Sequence, residues 1–229
     1  MLIAVVNEST DPAVTPQAVG EYCAAQAHQF RYNFCPAWGL TAPAVIPAAS
    51  LAVVPPGAAI IILRDTSDQP GALAYHDETA KDVKVCFVFV KTVAAAGVSW
   101  QSAASHEALE MLADQSCNRY AVDAYNNVVA LEVCDPVESD AYEITMTNGH
   151  QVEVSDFVYP AWFDPSAPDG TRTRQLAGHG KPNLSPFELA AGGYMIQNGK
   201  TVFADGAAEA RRALKGGGGH SSHRPLVAW

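Results

Sequence analysis

Positive charge is scarce in this chain. Fourteen lysines and arginines stand against 24 aspartates and glutamates, a formal net charge of -10 over 229 residues. Binding to a nucleic-acid backbone needs a basic surface, so this balance argues against it. Long apolar runs are missing too: none approaches the roughly 20 residues that cross a bilayer. The opening Met1–Glu8 turns polar quickly and has no basic start, so we expect no signal peptide, no membrane, and a chain that is cytoplasmic when made. There is no C-x-x-C. The five cysteines (Cys23, Cys35, Cys86, Cys117, Cys134) cannot all pair within one chain. Reduced, mostly buried thiols are expected, with a disulfide or metal-ligand role left open for Cys117 and Cys134. No internal repeat is present. At 48% hydrophobic residues the length suffices for one large domain with a real core.

What is there is a β-rich first half. Residues 2–7 read as a strand. Thr15 can cap a helix that Pro16 opens, with Val19, Cys23, Ala27, Phe30 and Phe34 facing a core and Pro36 and Gly39 ending it. Residues 44–47 and 58–64 read as strands, the second fully buried. Residues 72–77 read as a short edge strand and 83–91 as another strong β run. A helix capped by Ser99 or Ser102 follows. Beyond residue 114 the chain becomes loop-rich, with short strands expected at 128–133, 142–146 and 151–154 and a tetraglycine before the C-terminal tail.

The helix after the last strong strand carries Ser105-His106-Glu107-Ala108-Leu109-Glu110-Met111-Leu112-Ala113-Asp114. His106 and Glu110, at i and i+4, share a helix face. One helix can grip a metal in this way, with the glutamate after the first histidine serving as general base. The surrounding residues are apolar, so polar groups on this helix need partners. Glu132 or Asp135 suits a third ligand from a downstream loop. His106, Glu110, Glu132 and Asp135 are therefore the candidate metal ligands, and Glu107 the candidate catalytic base. Asp114, rotated by about 80° from His106, suits an orienting group behind the ligands or an alternative ligand. One histidine with carboxylates makes a hard, anionic site, open to Zn2+, Mn2+, iron or Ca2+. His76 and Asp77 end the edge strand, either as a cleft or metal-proximal pair or as a turn. Tyr142, Tyr159 and Tyr194 are candidate oxyanion-stabilising phenols or packed aromatics. The aromatic run Ser155–Pro165 reads as a wall under the site.

His106-Glu107-Ala108-Leu109-Glu110 with Asp114, then Glu132-Val133-Cys134-Asp135, resembles the H-E-x-x-E helix and E-x-x-D loop of zincin-like proteins. These are related in motif to exordium-type proteins and are closest to uncharacterised proteins of bacteria and tailed phages. Gln115 stands where that pattern has proline, and there is no second histidine. The resemblance implies an α+β, zincin-like fold. Its twisted mixed sheet, with an edge strand for substrate, packs on the long N-terminal helix and the motif helix. Residues 1–165 would form this domain, 166–215 a loop-rich extension of it, and 216–229 a glycine-rich tail.

Two functions follow as expectations. One is a metal-dependent, peptidase-like hydrolase that binds peptide along residues 72–77. The other is a structural component of a virion or other assembly that keeps the fold without turnover. In the second, the tail would dock on a neighbouring subunit through Leu226 and Trp229, with Arg211 and Arg212 at an acidic contact.

Overall fold

The structure, a computed structural model, describes residues 1–69 and 71–204. The expectations for the tail, including those for Arg211, Arg212, Leu226 and Trp229, lie outside the described residues. In chain order the first half comprises β1 (Leu2–Asn7), α1 (Pro16–Gln29), α2 (Cys35–Trp38), β2 (Ala44–Ala48), β3 (Ala59–Arg64), β4 (Ala74–Glu78), β5 (Lys84–Phe89), α3 (Val90–Ala95) and α4 (Trp100–Ala113). The second half adds β6 (Tyr120–Val122), β7 (Val128–Ala130), β8 (Ala141–Thr145), β9 (Gln151–Ser155), β10 (Tyr194–Gln197) and β11 (Lys200–Phe203). The fold is mixed α and β, with few helices and several sheets.

A five-stranded sheet in the order β2-β1-β3-β5-β4 organises the first half. Its first four strands run parallel, and β4 lies antiparallel to β5 at the edge. Ile3–Val6 and Ile61–Leu63 are buried without alternation, as expected of central parallel strands covered on both faces. The Thr15 side chain accepts from the Ala18 N–H and opens α1. The sequence predicts one helix through Phe34. The chain instead widens at Phe30–Phe34, where the Cys35 N–H bonds the Phe30 carbonyl. This wider turn lets Phe30 and Phe34 both enter the core. Gly39, at φ 64°, stops the segment in the left-handed conformation glycine adopts freely.

The second half holds a four-stranded sheet, β11-β10-β7-β6, and the β8–β9 hairpin. Asn198 and Gly199 both have positive φ between β10 and β11, the type I′ turn that asparagine–glycine favours. One hydrophobic cluster runs from Ile3 through the motif helix to Ala190, so residues beyond 165 share the core of those before. Within Ser155–Pro165, Phe157, Trp162 and Phe163 are buried and pack with Phe34, Trp38 and Phe187.

A buried polar network fixes the motif helix against its neighbours. Ser105 Oγ donates to Gln29 Oε1 and accepts from the Ser155 N–H, while Gln29 Nε2 donates to the Ser155 carbonyl. α1, α4 and β9 are thereby locked one residue before His106. A second device fixes the loop after Glu132. A Cβ on Gly193 would stand 2.1 Å from the Pro136 carbonyl oxygen, so only glycine permits this approach. The Ala190 N–H also donates to that oxygen, at 2.9 Å. Pro136 follows Asp135 directly, so both contacts hold Asp135 in place.

Candidate metal centre

α4 begins where Ser99 Oγ accepts from the Gln101 and Ser102 amides, which selects Ser99 over Ser102 as the cap. The helix is then buried from Ala104 to Ala113 without a solvent stripe. His106, Glu107 and Glu110 are carried inside with it, at 8%, 4% and 0% exposure. Burying charge at this depth is unfavourable unless each group finds a partner.

The partners come from three other elements. His76, on the inward face of edge strand β4, has a side chain only 2% exposed. Its Nδ1 lies 3.1 Å from Glu107 Oε2 and 3.7 Å from Glu110 Oε2, and its Nε2 lies 3.9 Å from Glu132 Oε2. His106 Nε2 lies 3.2 Å from both Glu110 Oε2 and Asp135 Oδ1, and its Nδ1 lies 3.2 Å from Glu138 Oε2. Asp135 and Glu138 come from a short 3-10 turn, Asp135–Val137, and the residue that closes it. Three candidate cation clusters result: His76 with Glu110 and Glu132, His106 with Asp135 and Glu138, and His106 with Glu107 and Glu110.

Glu110 is divided in its contacts. Oε1 accepts from the Cys134 N–H at 3.1 Å. Oε2 is buried, receives no hydrogen bond, and faces both imidazoles. Glu132 Oε2 is likewise buried and receives none. Among the described residues, the ion pairs of Glu110 and Glu132 are made with His76 and His106 only. Two carboxylates about 4 Å apart repel by about 4 kcal/mol at an effective dielectric constant near 20. The protonation balance reflects this strain. Burial opposes charge on both imidazoles, yet the carboxylates hold their pKa values well above the ordinary range. For His76 the Cys117 side chain acts first, then Glu107 and Glu132; for His106 they are chiefly Glu110 and Glu138. Burial, then the Glu110 charge, pushes Glu132 well up.

The donor set fits a divalent cation. Donors at tetrahedral positions around zinc, with bonds near 2.0–2.1 Å, stand about 3.3 Å apart. The two 3.2 Å separations from His106 Nε2 to Glu110 Oε2 and Asp135 Oδ1 match that spacing. Glu138 sits on the opposite nitrogen, where a metal-binding imidazole usually donates to a carboxylate that sets its tautomer.

His106, Glu107, Glu110, Glu132 and Asp135 are thus gathered in one buried centre. His76 lies inside it, not at its rim. Asp114 caps the end of α4, and its Oδ2 accepts from the Arg119 N–H at 2.6 Å; it joins none of the three clusters. Tyr159 belongs elsewhere. Its hydroxyl donates to Gln175 Oε1, and its ring stacks on Phe157 and faces Arg172. Burial, then the negative charge of Asp135, holds the buried Tyr194 phenol well above the usual range. Tyr142 donates to Asn33 and accepts from Gln29, away from the centre. All five cysteines are free, so Cys117 and Cys134 form no disulfide.

Glu138 is absent from the sequence-derived ligand set. Its signal was its place three residues after Asp135, which a tight turn converts into a shared direction. A small cleft of about 40 Å³, half-open to solvent, reaches His106 and Glu107 between the start of β4 and α4. Leu73, Ala74 and Val98 line its mouth, and His106, Glu107 and Glu138 also line it. No helix among the described residues is long and apolar enough to cross a membrane. Set against family models, curated proteins and solved structures, the chain matches none.

Proposed function

We propose that the protein is a metal-dependent hydrolase acting on extended polypeptide. The observation that carries this reading is Glu110 Oε2: a fully buried carboxylate oxygen with no hydrogen-bond donor, aimed between two imidazoles beside a small half-open pocket. His106, Glu110 and Asp135 would hold the cation, and Glu138 orients His106. A divalent cation there supplies Lewis acidity toward a carbonyl and toward water. Glu107 lines the pocket with a carboxylate steadied by His76. It takes the proton of the attacking water and returns it to the leaving amine. β4 is the edge strand of the five-stranded sheet, and an extended peptide would lie along that edge by adding backbone hydrogen bonds. The sheet order, with an antiparallel edge strand before the final strand and motif helix, supports the zincin-like reading of the fold. Zinc fits the 3.2 Å donor spacing, and manganese or calcium fits the carboxylate excess.

The test is hydrolysis of quenched-fluorescent peptides and unfolded casein by the metal-loaded full chain, with Glu107→Gln beside it. We expect metal-dependent cleavage that falls by about 10²–10⁴-fold in the variant, while metal content stays unchanged. No cleavage by the loaded wild type, or equal cleavage by Glu107→Gln, overturns the reading.

A further inference from the structure

The two imidazoles fall into different clusters. His106 groups with Asp135 and Glu138 or with Glu107 and Glu110, and His76 groups with Glu110 and Glu132. Within each cluster the ligand atoms lie within 4.8 Å of one another. Glu110 is common to both sides: its Oε2 lies 3.2 Å from His106 Nε2 and 3.7 Å from His76 Nδ1. Its other oxygen is held by the Cys134 amide, so Oε2 alone faces the two imidazoles.

We infer that the centre binds two divalent cations: one on His106 with Glu110 and Asp135, the two 3.2 Å neighbours of its Nε2, which come from two different clusters, the other on the cluster His76, Glu110 and Glu132, with Glu110 Oε2 shared between them. This rests on the metal-centre reading above and extends it. A single cation on the His106 side leaves Glu132 Oε2 buried and without a donor, its ion pair being the 3.9 Å one with His76. A second cation gives that oxygen a partner and converts the contacts of Glu110 Oε2 with two nitrogens into a bridge. One oxygen shared by two cations places them within about 4 Å, the separation at which paired ions act on both the attacking and the leaving group of one substrate. The second site draws its ligands from edge strand β4, helix α4 and the segment after β7. Its occupation would tie the substrate strand to the catalytic helix.

The experiment strips the full chain with a chelator, dialyses it, and titrates it with Mn2+. Bound metal is read by elemental mass spectrometry, and the coupling between ions by electron paramagnetic resonance. We expect two equivalents in the wild type with an exchange-coupled signal. His76→Ala and the near-isosteric Glu132→Gln should each bind one equivalent with an uncoupled signal. His106→Ala should lose the other, and Glu110→Gln should weaken both. Circular dichroism checks that each variant is folded; if His76→Ala is not, Glu132→Gln carries the same readout. One equivalent in the wild type, lost in His106→Ala and kept in His76→Ala, overturns the second site and leaves the single-metal hydrolase standing. Two equivalents unaffected by His76→Ala and Glu132→Gln place the second ion elsewhere and also overturn it. No bound metal at all removes both readings.

Discussion

Among the described residues, two buried acid clusters stand in contrast, and they are solved differently. In one, Arg174, 1% exposed, pairs with Asp156 and Asp140, and Lys181 reaches Asp140 from the surface. Asp156 Oδ1 also accepts from the Leu176 N–H. Burial raises the pKa of Asp156, and the Arg174 guanidinium opposes that rise. In the other cluster, the ion pairs of Glu110 and Glu132 among the described residues are with imidazoles, and each keeps a buried oxygen that receives no hydrogen bond. The first cluster carries a permanent cation in its own sequence and is complete as folded. The second has ligand chemistry where the first has a guanidinium. Buried polar groups usually find partners, and this contrast between the two clusters is what the metal-binding proposal rests on.

The largest expected effect tests the complete cluster. Arg174→Met leaves Asp156 and Asp140 buried without their cation, and should cost about 3–5 kcal/mol. Urea denaturation reads this loss, and it should be the same with chelator or with added zinc. A loss that zinc repairs would mean the two clusters are not separate.

The incomplete cluster should behave in the opposite sense. Zinc at 100 times its dissociation constant should stabilise the wild type by about 2.7 kcal/mol, and chelator should remove that increment. Glu110→Gln should abolish the increment. In chelator, however, the variant should match or exceed the wild type, because it removes a buried charge of which one oxygen receives no hydrogen bond, while the Gln carbonyl can still accept from the Cys134 amide. Thermal melts of both proteins, with and without metal, give the four values needed. A Glu110→Gln protein that is less stable than wild type in chelator would show Glu110 to be an ordinary structural acid.

A smaller effect separates Tyr159 from the site. Tyr159→Phe loses the 2.7 Å hydrogen bond to Gln175 and should cost about 1 kcal/mol. Metal affinity and peptide cleavage should not change. A fall in either would return Tyr159 to the oxyanion-stabilising role that its sequence position leaves open.

Much of the centre was legible because its spacing is local. The Ser99 cap, the His106/Glu110 pair and the adjacent Glu107 are fixed by helix geometry alone, and Glu132 and Asp135 follow closely in one loop. The central strands were legible because unbroken apolar runs such as Ala59–Leu63 suit a strand buried on both sides. His76 was less legible. Its strand is short and reads AYHDE, with no apolar alternation to tell which residues turn toward α4. Only pairing with β5, where His76 lies opposite Cys86, sets its face. Glu138 depends on a tight turn that propensity does not announce. The π-helical widening at Phe30–Phe34 follows from core packing and not from any residue that breaks a helix. The β10–β11 hairpin was different: Asn198-Gly199 is a strong turn signal, and it was passed over in a stretch taken as loop-rich.

The smallest effect concerns a third acid group, which completes the comparison at the surface. Asp65 accepts from Ser9, Thr10 and Lys91. Lys91 first, then the two hydroxyls, holds its carboxyl well below the usual range. The sign follows from that depression. The contribution to stability is fully present above the unfolded value, about 3.9, and is lost as pH falls through the lower folded value. Lys91→Ala should therefore lower stability slightly at neutral pH and leave strongly acid pH unchanged, flattening the acid side of the profile; the effect is small because solvent and salt screen an exposed pair. Acid titration of thermal melts at low and high salt checks this. A large loss at neutral pH would mean that Lys91 is as integral as Arg174, and that exposure does not separate the surface acid from the buried one.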